Sequence, residues 1–79
     1  MNMNAQNMKN QYEFIEHVLL HVDFTEKQQV IDYAEKLVKA LDKVENVDMQ
    51  HREVFENGLK SLKDLTLAQM KDLKNVINE

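Results

Sequence analysis

A single glycine and no proline in 79 residues leave this chain almost no means of building tight hairpins, phosphate-cradling loops or a Rossmann-type turn. No stretch shows sustained period-two alternation of apolar and polar residues either, so strands are not expected anywhere. What remains is a chain of helices joined by short polar links.

The apolar pattern agrees. At about 100° per residue, Met8, Tyr12, Ile15, Leu19 and Val22 fall on one line, and Phe14 and Val18 widen it. Glu13 and Glu16 lie outside the stripe, which predicts a first helix of about 17 residues with one buried side. The segment Asp23 to Gln28 reads as a stop and a new start, because Thr25 can cap the backbone while Gln28 reaches back to it. A second helix follows, with Val30, Ile31, Tyr33, Ala34, Leu37, Val38, Leu41 and Val44 on its apolar face. Its polar face carries Asp32–Lys36 and Glu35–Lys39 at the i,i+4 spacing of a solvated helix surface.

Asn46 is the expected stop of that helix and Asp48 the N-cap of the next. The stripe resumes through Val54, Phe55, Leu59, Leu62 and Leu65, then Met70, Leu73, Val76 and Ile77. Its unbroken phase from Phe55 to Ile77 suits one continuous helix. Thr66 and Gln69 repeat the capping grammar, however, with Leu65 and Met70 placed as a hydrophobic staple, and this tips the expectation toward a break at Thr66. Gly58 has no loop-like neighbours and reads as a weak interior position, about 1 kcal/mol worse than alanine in a helix.

The expected fold is therefore all-α: a small bundle of three or four amphipathic helices over residues 7–79, behind a flexible segment 1–6, as a monomer or completed by dimerisation. In the monomer, helix 2 is expected to be central. At this length, buried apolar area at about 25 cal/mol per Å² barely offsets about 1.5 kcal/mol of ordering entropy per residue. No cysteine is present to supply a disulfide or a thiolate metal site. A homodimer is as reasonable an expectation as a monomer. Leu20 and Phe24 lie opposite the first stripe if that helix continues, and Ile31 and Val38 widen the second. These four are the expected anchors of an interaction surface.

Net charge −4, from 10 basic and 14 acidic residues, disfavours a generally basic nucleic-acid surface. The longest apolar run, Val18-Leu19-Leu20, is far too short to span a bilayer. Met1 to Asn10 lacks the pattern of a secretory signal, so a cytoplasmic protein is expected.

Three chemistries can be placed on residues. His17 and His21 share a helical face at a spacing able to grip one metal ion, with Glu13, Asp23 or His51 as further donors. Val18 stands where a zinc protease motif carries its general base, so hydrolysis is not implied, and both histidines fit equally as rim residues of the core. Their titration range would make assembly through them pH-dependent. Gln50, His51 and Arg52 open a helix that would be the recognition helix of a helix-turn-helix, although Asp48, Glu53 and Glu56 crowd the same surface with negative charge. Ser61, Thr25 and Thr66 are the available hydroxyls, none near a histidine in sequence, so no nucleophile–base pair is indicated. The resulting expectation is a non-enzymatic, cofactor-free regulatory protein acting through helix-face contacts with a protein partner or itself. A DNA-contacting regulator and a metal-responsive helical protein are the alternatives.

Overall fold

The computed structural model describes residues 10–44 and 47–78. The expected flexible segment 1–6, Met8 and the Asn46 stop lie outside them. Among the described residues there are four α-helices and no strand: α1 Gln11–His21, α2 Lys27–Ala40 with a 3-10 turn Leu41–Lys43, α3 Met49–Asp64 and α4 Leu67–Ile77.

Local side-chain chemistry sets each helix start. The Asn10 carboxamide oxygen accepts from the backbone N–H groups of Tyr12 and Glu13, both at 3.0 Å, so α1 begins at Gln11. It ends at His21, where Val22 turns extended (φ −108, ψ 123), giving 11 residues rather than the longer helix expected from the stripe. The α2 start also differs from expectation by one residue. Gln29, not Gln28, reaches back, its side-chain oxygen accepting from the N–H of Glu26 at 3.0 Å and of Thr25 at 2.7 Å. Gln28 instead donates to Asp32 at 2.8 Å. The α-helix closes at Ala40, and Val44, assigned to the buried stripe, is 49% exposed.

Asp48 caps α3 as anticipated, accepting from the Gln50 N–H at 3.1 Å. The break before α4 is also present. Leu65 is extended, Thr66 Oγ1 accepts from the Gln69 N–H at 3.1 Å, and the Gln69 side chain accepts from the Thr66 N–H at 2.9 Å.

Helices α2 and α3 form an antiparallel hairpin fastened at both ends. Lys27 donates to the Lys63 carbonyl, and Arg52 pairs with Asp42 at 2.8 Å. The central helix is α1, which packs against α2, α3 and α4, and not α2 as the width of its stripe suggested. The reason is composition: Phe14, Ile15, His17, Val18 and Leu19 are all buried, so α1 presents covered side chains on more than one face. Phe14 and Phe55 meet at the centre with ring centroids 4.8 Å apart and a 46° tilt, among Val18, Leu19, Val30, Leu62 and Met70.

Gly58 belongs to this contact. Its backbone lies against Phe14, where an added Cβ would stand 2.9 Å from Phe14 Cγ and 3.2 Å from Phe14 Cβ. The glycine is therefore the flat spot that lets the ring approach α3, a packing role that the sequence reading missed.

Candidate functional site

The four expected anchors do not share a surface. Leu20 is exposed and Val38 is half-buried, but Phe24 and Ile31 lie within the chain's own core. Phe24 was placed on an outer face by continuing the first helix through it. Because Val22 is extended, residues 22–26 fold back and carry the ring inward. Lys74 of α4 closes over it, with Nζ 5.1 Å from the ring centroid and donating to the Val22 carbonyl at 3.0 Å. Ile31 is covered because α2 packs on both α3 and α1.

Exposed apolar surface lies elsewhere. A groove of about 350 Å³ runs between α1, the end of α3 and α4, lined by Tyr12, Ile15, Glu16, Ser61, Leu65 and Leu73 among others. Tyr12, on its rim, is 66% exposed. Val76, 65% exposed, follows Leu73 by one turn on the same face of α4. Sequence reasoning assigned all of these apolar residues to buried stripes. None of the described lining residues is a histidine, lysine or arginine, and Glu16 is the only carboxylate. Such a groove offers shape and apolar contact, with no acid–base pair or anion-binding cation on its walls.

His17 and His21 come together, but as a stacked pair. Their ring centroids are 4.1 Å apart at 27°, and Tyr33 of α2 lies beyond His17 with its ring centroid 6.3 Å away. The His21 Nδ1 lies 2.8 Å from the His17 carbonyl; a carbonyl only accepts, so that nitrogen carries its hydrogen. The His17 Nε2 makes a long 3.5 Å contact with the Tyr33 hydroxyl, while its Nδ1 is buried without a hydrogen-bond partner. Burial, and secondarily the charge of His21, hold the His17 imidazole below its ordinary pKa of 6.5. Among the described residues no group of three or more histidine, aspartate or glutamate side chains is arranged to hold a metal ion, so Glu13, Asp23 and His51 do not complete a ligand set with the pair.

Gln50, His51 and Arg52 occupy the first turn of α3. The Arg52 guanidinium is held by Asp42, and the His51 ring leans on Phe55 with centroids 6.5 Å apart. Two of the three side chains thus engage the hairpin itself. No described helix is long and apolar enough to cross a membrane. No protein-family model, curated protein or solved structure matches the chain.

Proposed function

We propose that the protein is a small helical contact module whose partner is a second copy of itself, joined through the α1–α4 face. The observation that carries this reading is the adjacency of projection and recess on one patch. Tyr12 stands out at the rim of the groove and Val76 lies one turn beyond its Leu73 wall. A twofold interface sets the same patch against itself, so a projection beside a recess is one way for that patch to be self-complementary. Tyrosine is also among the residue types that most often anchor such contacts, since it brings a large rigid ring at low entropic cost. The small core of a 79-residue chain supports the same reading, because a partner chain is one of the few stabilisers open to a cysteine-free domain.

Sedimentation equilibrium from micromolar to millimolar concentration tests it. Dimer is expected in that range. Tyr12→Glu and Val76→Glu should each weaken it by about 30-fold or more, the size of one lost anchor, with helical circular dichroism unchanged. A wild-type chain that stays monomeric at 1 mM (order of magnitude for the weakest specific pairs) overturns the proposal. Dimer formation indifferent to both substitutions removes this face from it.

A further inference from the structure

His17 is 8% exposed, and its burial favours the uncharged ring. Whichever tautomer the neutral ring adopts, one nitrogen faces the Tyr33 hydroxyl and Nδ1 faces no partner. A bare Nδ1 is a tolerable unmet acceptor. Protonation would turn it into a buried N–H with nothing to receive it.

The neighbours add to this. On α1, the His21 ring is stacked on His17 at 4.1 Å, so charging both imidazoles brings two positive rings face to face. Glu13, one turn back on α1 and exposed only in part, is a carboxylate whose charge acts in the other direction, so the penalty rests on burial and His21. From α2 the facing group is the Tyr33 hydroxyl, with Lys36 exposed one turn further along that helix. On α3 the titratable side chain near the ring stack of the core is His51, which leans on Phe55 rather than on His17. On α4 it is Lys74, engaged at the Val22 carbonyl beyond the end of α1. The two groups in ring or hydrogen-bond contact with His17 are therefore another base and a neutral phenol.

We infer that the His17–Tyr33 contact, with His21 stacked on His17 within α1, is an acid-sensitive latch between α1 and α2: the neutral His17 ring packs toward Tyr33, and proton uptake by His17 loosens that packing. The inference is independent of self-association, since every group in it belongs to one chain.

The direction of the pH effect follows from linkage. A base whose pKa is lowered by folding is protonated more readily in the unfolded chain. Its contribution to stability is complete above the ordinary value of 6.5 and is lost progressively as pH falls through 6.5 toward the lower folded value. Asp and Glu titrate near pH 4, so the interval from pH 7 down to about 5.5 belongs to histidine.

The experiment is urea unfolding of the full chain at a series of pH values, with a parallel NMR titration of the three imidazole Cε1–H signals. The unfolding constant should rise as pH falls below 6.5, by up to about tenfold per pH unit for one differential proton. His17→Phe, which keeps a planar ring, should flatten that rise, while His51→Gln should leave it. Should His17→Phe fail to fold, the wild-type titration decides alone. His17 is then expected to titrate below its ordinary value of 6.5, with Tyr33 ring signals moving in step. His21→Gln should raise the His17 midpoint by removing the neighbouring charge. An unfolding constant flat from pH 7.5 to 5.5, or a His17 midpoint at or above 6.5, overturns the latch.

Discussion

Alanine at position 58 separates a propensity argument from a packing argument, because the two disagree in sign. In an exposed helix interior, replacing glycine by alanine stabilises by about 1 kcal/mol. Position 58 is buried, and the new methyl would crowd the Phe14 ring below the separations that real Cβ atoms adopt. The ring has little freedom to yield: Phe14 has no exposed surface, and it is backed by Phe55 at 4.8 Å. With Phe14 Cβ itself only 3.2 Å from the added atom, a side-chain rotation does not clear the contact, and α1 must shift against α3. Overpacking of this kind costs about 1–3 kcal/mol, and a contact that displaces a helix belongs at the upper end. Subtracting the propensity gain leaves Gly58→Ala destabilised by about 1–2 kcal/mol. For a domain of this size the melting temperature should fall by about 4–16 °C. Thermal and urea denaturation of wild type, Gly58→Ala, Phe14→Leu and the double variant form the assay. In the Phe14→Leu background the smaller side chain can turn its Cγ and Cδ atoms away and leaves only the Cβ contact, so the same alanine should cost less than in wild type, and the cycle should show a coupling of at least about 1 kcal/mol. A single variant more stable than wild type would refute the close approach of Phe14 to α3.

Two further outcomes follow from the caps and the surface. Thr66→Ala removes the acceptor for the Gln69 N–H and should cost about 1 kcal/mol, with faster amide exchange concentrated in α4; protection unchanged across α4 would mean that the break at Leu65 does not depend on its cap. Asp42→Ala removes the partner of Arg52, but both side chains are substantially exposed, so the urea midpoint should move by no more than about 0.5 kcal/mol equivalent; a loss above about 2 kcal/mol would show that this end of the hairpin depends on the ion pair.

The legible parts of this fold are those fixed within a few residues of sequence. The Asp48 and Thr66 caps are local hydrogen bonds written in adjacent residues, and both helix starts were readable. The α2 start was off by one because Gln28 and Gln29 are equivalent on the page, and only the pairing of Gln28 with Asp32 distinguishes them. Arrangement was less legible. Stripe width made α2 look central, whereas the identity of the covered faces depends on how the helices dock, and α1 took that place. Phe24 shows the same limit: its side was assigned by helical phase, and the extended Val22 cancelled that phase two residues earlier. Tyr12, Leu73 and Val76 carried the same apolar signal as true core residues, so nothing in their pattern marked them as the rim and wall of a groove. The histidine pair was legible as neighbours, since i and i+4 residues share a face, but its stacking and its Tyr33 neighbour belong to tertiary structure.

The reach of Lys74 to the Val22 carbonyl joins positions 52 residues apart. A ribosome delivers those two positions roughly 3–10 s apart at about 5–20 residues per second. Throughout that interval the nascent chain holds the residues of α1 and the Phe24 turn without the last helix that shuts over them. Each newborn molecule therefore passes through a stage in which that oily flank has no cover from the far end of its own chain.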